Sequence, residues 1–280
     1  MAVSPPQRSE MPRPRFGPIS AANARMSLLL WGASGCGKTT LCATAPMNML
    51  WLQFDPNGVN SLTHYPNLHR IRHINAVGYS ASVIDAEFSN QDPFGIEAEL
   101  KENPNVQTLV VDSATTLADR GLEIAVIKQN NTSYDVPGRH GWGTRNQIIR
   151  RYVSKLMQIA AAHDLHFIIT THEHTFQKIE NGPVSITLSL SENLANEVAV
   201  RFSEVWHMED TGSARLIYTR AYANYKPMKT RMFLTPDSVV GGKFIVHYDA
   251  NTWTGDGIAE WWQQWNDNQG RKIPLPVKGR

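Results

Sequence analysis

Residues 32–39 read Gly-Ala-Ser-Gly-Cys-Gly-Lys-Thr, between an apolar run, Met26–Trp31 (MSLLLW), and a helix-type stretch, Thr39–Ala45, that Pro46 stops. A Gly-x-x-x-x-Gly-Lys-Thr loop after a buried strand and before a helix constrains this chain more than any of its other features. Glycines without a Cβ let backbone N–H groups turn inward around an anion. The helix that starts there adds the positive end of its dipole. The nucleotide-binding set is therefore Gly32, Ala33, Ser34, Gly35, Cys36, Gly37, Lys38, Thr39 and Thr40. Lys38 is placed to reach the β- and γ-phosphates. The Thr39 hydroxyl suits Mg²⁺, a hard cation that prefers oxygen ligands. ATP and Mg²⁺ are the expected cofactors.

The rest of the chain supplies an α/β setting. Met49–Phe54, Arg70–Ile74, Thr108–Val111 and His166–Thr171 read as further buried strands. Residues 115–129 read as a helix, and residues 144–162 carry an apolar stripe, Ile148, Ile149, Val153, Leu156, Met157 and Ala160. Between them lies a Gly/Asn/Pro-rich loop, residues 130–143. After residue 180 short alternating runs at 184–190, 203–208, 214–219 and 243–248 suggest an antiparallel extension of the same sheet. The fold expected is α/β, a mainly parallel central sheet with helices on both faces.

Composition narrows the class. At 280 residues the chain can bury a full core unaided. Two cysteines exclude a disulfide framework and fit a reducing, cytoplasmic compartment. The longest apolar run is far short of a membrane span, so no membrane partner is expected. Formal charge is +2, but residues 1–25 hold +3 and residues 270–280 hold +4, which leaves 2 − 7 = −5 for the rest. The expected organisation is a flexible basic arm (1–25), one domain (26–266) and a basic tail (267–280). The arms read as solubilising ends or as contacts to phosphate or a neighbouring subunit.

Asp112 closes the run Leu109-Val110-Val111. A carboxylate at that place commonly holds the Mg²⁺ shell beside a phosphate loop, so Thr39 and Asp112 form the expected metal pair.

The segments GKTTLCATAP, MLWLQFDPNG, TLVVDSATTL, GWG before a long helix, and IITTHEH together resemble a phage group of RecA-like ATPases of single-strand annealing and recombination. The resemblance covers about residues 24–235. It implies a RecA-like P-loop NTPase core, with another strand between those carrying the phosphate loop and Asp112. It also implies several site roles. Asn57 of Asp55-Pro56-Asn57-Gly58 falls where the family commonly has a glutamate that orients the attacking water. Asn cannot take a proton as a base, so slow hydrolysis is expected; Asp55 either substitutes or caps the turn. His172 falls at the γ-phosphate sensor. Tyr134, Arg139, His140 and Trp142, with Lys178 in the loop that follows His172, fall on segments that bind single-stranded DNA or form a solvated surface. Lys229 and Arg231 fall where cations reach a neighbouring subunit's γ-phosphate, or they form an exposed basic strand.

The expected function is that of a slow, DNA-stimulated ATPase acting on single-stranded DNA. Its implied partners are further copies of itself, as ring or filament, and a single-strand-binding protein. A motor or loader acting on a protein partner, and a non-hydrolysing nucleotide switch, are the alternatives.

Overall fold

A computed structural model of the chain describes residues 24–128, 139–177, 184–247 and 257–276. In chain order the elements are β1 (Ser27–Gly32), α1 (Lys38–Cys42), β2 (Met49–Gln53), β3 (Ile71–Asn75), α2 (Ala81–Ser89), α3 (Ile96–Glu102), β4 (Thr108–Asp112), α4 (Ala114–Ile127), α5 (Arg139–Ala162), β5 (His166–Gln177), β6 (Val184–Leu188), α6 (Glu192–Val200), β7 (Glu204–Asp210), β8 (Arg215–Tyr218), β9 (Phe233–Leu234), β10 (Phe244–Val246), α7 (Ile258–Asp267) and β11 (Ile273–Pro274).

The main sheet runs β10-β8-β7-β1-β5-β4-β2-β3, and β6 pairs with the outer half of β5. From β7 to β3 every pairing is parallel. β8 and β10 add the antiparallel part. Strand β5 stands between β1 and β4, the order that the resemblance implied.

The strands at the centre are apolar on both faces because both are covered. One face, with Leu29, Trp31, Leu52, Leu109 and Ile169, packs against α2 to α6. The other, with Leu28, Leu30, Trp51, Val110 and Ile168, packs against α1, α7 and the segment around Phe233. Each such side chain withdrawn from water contributes about 1.5–3 kcal/mol. Trp261 and Trp262 of α7 are core residues, Trp261 against Trp206, Phe233 and Phe244. No described helix is long and apolar enough to cross a membrane.

Four details differ from the sequence reading. Helix α5 begins at Arg139, five residues before the expected start, and its buried Gly141 faces the interior. Strand β5 runs on to Gln177 because β6 pairs with its polar outer half. Strand β7, expected in the antiparallel part, lies parallel to β1. Residues 267–276, expected in the tail, stay with the domain: β11 pairs with β9, and Ile273 and Leu275 are buried.

Candidate active site

The site forms at the carboxyl ends of β1, β2, β4 and β5, where the open ends of parallel strands leave a crevice. Strand β1 ends at Gly32, the loop turns, and α1 begins at Lys38. Gly32 is required by space: a Cβ there would collide with the carbonyl of Met208. Gly37 caps α1 at φ 102°, a left-handed backbone that glycine adopts at little cost. Lys38 is buried, and its Nζ donates to the carbonyls of Gly32 (3.0 Å) and Ala33 (2.7 Å). Its ammonium is thus held inside the loop. Cys36 is also buried, and burial pushes its thiol pKa up, so its contribution is the shape of the loop.

Asp112 is almost fully buried, 3% exposed, at the end of β4. Its two oxygens accept from Thr39 Oγ1 (3.0 Å) and Thr170 Oγ1 (2.5 Å). Burial raises its proton affinity above the ordinary carboxylate value, and the two hydroxyl bonds oppose that rise. A charged carboxylate at such a depth asks for a cation. The hard oxygen donors of Thr39 and Asp112 fit Mg²⁺, whose remaining ligands come from phosphate and water. When bound, the ion supplies charge neutralisation on the phosphate oxygens.

Asp55 and His172 face Asp112 across a cleft of about 370 Å³ that Lys38 and Asn57 also line. Asp55 Oδ1 accepts from the Asn57 N–H (2.9 Å), and its Oδ2 lies 3.3 Å from His172 Nε2. Asp55 thus both caps its turn and meets the histidine. The His172 N–H donates to Thr115 Oγ1 at 2.8 Å. His172 Nδ1 is buried and finds no partner among the described residues. Behind the loop, buried His207 of β7 lies 3.1 Å from Glu173 Oε2 and 4.3 Å from the Trp31 ring, which ties β1, β5 and β7 together.

The other expected residues lie elsewhere. Lys229 exchanges two backbone bonds with Val205, the second residue of β7, and its Nζ donates to the Val200 carbonyl at 3.0 Å. The Arg231 N–H donates to Glu204 Oε1 at 2.7 Å. Both residues therefore sit toward the opposite end of the strands from their own phosphate loop. Tyr134 and Lys178 lie outside the described residues, and Arg139 and His140 form the first turn of α5. Trp142 is 44% exposed, with the Arg145 guanidinium 5.5 Å from its ring centre.

Sequence reasoning missed Thr170, Thr115 and Arg215. Thr170 and Thr115 were hidden because a threonine in or after an apolar strand carries no signal of its own. Arg215 begins β8, lines the same cleft as Lys38 and comes within reach of Gly37. It lies far from the loop in sequence, and only the hairpin between β7 and β8 brings it back.

No curated protein matches the chain. Residues 24–231 match the family described as AAA domain. That span takes in the phosphate loop, Asp112, His172 and Arg215 and most of the chain, which therefore belongs to the AAA domain family and is a nucleotide-binding P-loop ATPase.

Proposed function

We propose that this ATPase acts on single-stranded DNA, in recombination or strand annealing. One observation carries the reading. Strand β5 leaves the nucleotide cleft at His172 and continues without a break into a groove of about 540 Å³ lined by His174, Phe176, Trp142, Arg145, Ser189 and Asn193. An exposed indole, a phenyl ring and polar groups suit unpaired bases, which stack on aromatic faces without regard to sequence. Arg145 is itself mostly buried and donates to the Ala118 carbonyl (3.1 Å), so it holds the Trp142 ring in place. His172 and His174 stand two residues apart on an extended strand and share a face. In this proposal a shift at the phosphate end reaches the groove along β5.

Turnover in this reading is slow without DNA. Asn57 can position a water but cannot take its proton, and Asp55, engaged by His172 and by its own turn, is the nearest carboxylate. The same observation favours a second reading, a nucleotide switch that binds and releases with little hydrolysis.

The test measures ATPase rate and binding of labelled single-stranded DNA, with and without ATP, for the wild type and Trp142→Ala. The proposal expects tighter binding with ATP and a loss with added salt, because protein cations that neutralise DNA phosphates release the counterions condensed on them. Trp142→Ala loses roughly 1–3 kcal/mol of DNA binding while ATP binding is unchanged. DNA binding that ignores both ATP and Trp142 overturns the proposal. ATP binding without turnover, with or without DNA, supports the switch.

A further inference from the structure

We propose that the cavity at the amino ends of the parallel strands is a second ligand site, which takes a mononucleotide with its base inward and its phosphate at the rim. The residues just before β1, β2, β3 and β4 and the first residue of β5 meet there, as Arg25, Asn48, Arg70, Gln107 and His166. Helix α7 closes one side with Trp262 and Gln263. The volume is about 840 Å³, against about 370 Å³ for the cleft at the phosphate loop, and it falls within the range of ligand pockets. The phosphate loop stands at the other end of β1, and the two cavities share no lining residue.

The depth of the cavity carries a neutral donor. His166 is 5% exposed, and its Nδ1 accepts from the Met26 N–H at 3.1 Å. The neutral ring therefore holds its proton on Nε2. Burial first, and Arg25 second, lower its pKa to about 3, so the ring is uncharged. The Nε2–H has no hydrogen-bond partner among the described residues, and it is not sealed away from the cavity that His166 lines. A donor left without an acceptor at that depth costs free energy, which an acceptor atom of a ligand restores. A ring nitrogen or carbonyl of a heterocycle suits it better than a phosphate or carboxylate, because an ion loses hydration there that one neutral N–H does not replace. Asn105 and Gln107, two residues apart, also line the cavity, and neither side chain is hydrogen-bonded to another described residue. An amide offers a donor beside an acceptor, and so does the edge of a base.

The charge stands at the rim. The charged side chains that line the cavity are Arg25, Asp164 and Arg70. Arg25 and Asp164 pair at 2.6 Å and offset each other. Asp267 is not a lining residue; it accepts from Gln263 Nε2 at 2.8 Å. Arg70 is exposed and has no carboxylate partner among the described residues. Its Nε donates to Asn48 Oδ1 at 2.9 Å, and Asn48 Nδ2 in turn donates to the Asn105 carbonyl at 3.3 Å, which holds the guanidinium over the mouth. A phosphate that meets it there keeps part of its hydration and gains a charge-assisted contact.

Binding of AMP, GMP, CMP and UMP is measured by calorimetry on the wild type, on Lys38→Ala, which disables the phosphate loop, and on Arg70→Gln and Gln107→Ala in that background. Ribose 5-phosphate, inorganic phosphate and citrate serve as controls, and thermal midpoints without ligand check folding. Saturable binding of at least one mononucleotide is expected to survive in Lys38→Ala. Arg70→Gln is expected to weaken it about tenfold, as for one charge-assisted contact, and Gln107→Ala to change the order of preference among the four bases. A short oligonucleotide with a 5′-phosphate tells the source: tighter binding than the free nucleotide assigns the site to a strand end, weaker binding to the free nucleotide, and either supports the proposal. No mononucleotide binding in Lys38→Ala overturns it and leaves the ATP site standing. Ribose 5-phosphate, phosphate or citrate binding as tightly as the best mononucleotide also overturns it, because no base is then read. Binding that ignores Arg70→Gln and Gln107→Ala places the nucleotide elsewhere and overturns it as well.

Discussion

Asp112 is a carboxylate that burial makes hungry for protons, held by two hydroxyls beside a phosphate loop. Removing the charge and keeping the shape separates metal binding from folding. Asp112→Asn is expected to abolish the Mg²⁺ dependence of ATP binding and to cut turnover by at least about a hundredfold, a loss of about 3 kcal/mol. A Mg²⁺ titration at fixed ATP checks it. Protons compete with the ion for this carboxylate, and its folded-state proton affinity is raised. Apparent Mg²⁺ affinity therefore falls on acidification at a pH above the ordinary carboxylate range, and it recovers as pH rises through the raised value. Asn57 calls for the opposite kind of change. Asn57→Glu restores a base beside Asp55 and is expected to raise turnover about tenfold or more with no change in the ATP dissociation constant. A steady-state ATPase assay paired with a binding assay reads both.

At the scale of elements, β5 begins with a buried histidine. His166 Nδ1 accepts from the Met26 N–H at 3.1 Å, and the Trp262 ring meets it edge-on. Burial, with a smaller push from Arg25, holds its pKa down at about 3, against 6.5 for the free group. The folded state thus disfavours the protonated form. The resulting stability is complete above pH 6.5 and is lost steadily as pH falls toward 3. His166→Gln keeps an acceptor but cannot charge. It is expected to melt lower at neutral pH and to show a flatter decline between pH 6.5 and 3, measured as thermal midpoint against pH. Much of this architecture was legible beforehand, because the buried strands around Leu28–Leu30, Leu50–Leu52, Leu109–Val111 and Phe167–Ile169 are continuous apolar runs. What escaped was decided by contacts between distant segments. Gly141-Trp142-Gly143 reads as a loop because glycine costs about 1 kcal/mol in a helix, yet α5 already runs through it from Arg139, with Gly141 buried. The polar run His172–Gln177 looks unlike a strand until β6 lies beside it. The direction of β7 has no local signature, since parallel and antiparallel strands share one side-chain period. Within the site, Lys38, Thr39 and Asp112 follow from spacing. Thr170 and Arg215 do not, because each reaches the cleft through the sheet order.

The whole molecule keeps Lys229 and Arg231 away from its own phosphate loop, one tied to Val200 and the other to Glu204. We propose that they serve a neighbouring subunit, since a cation supplied from outside is worth large factors in phosphoryl-transfer rate. Turnover is then expected to rise steeply with protein concentration. Arg231→Ala and Lys38→Ala, each nearly inactive alone, are expected to regain activity on mixing, because some interfaces combine an intact loop with an intact donor. A demonstrably monomeric sample with full activity removes this role. Strand β1 lies between two parallel neighbours, β5 and β7, with both faces covered. Its amides can meet solvent deuterium only when the whole domain opens. The strand that carries the phosphate loop is thus expected to stay silent in hydrogen exchange whether nucleotide is bound or not, while the signal of binding arises at the hairpin of β7 and β8 and along the outer half of β5.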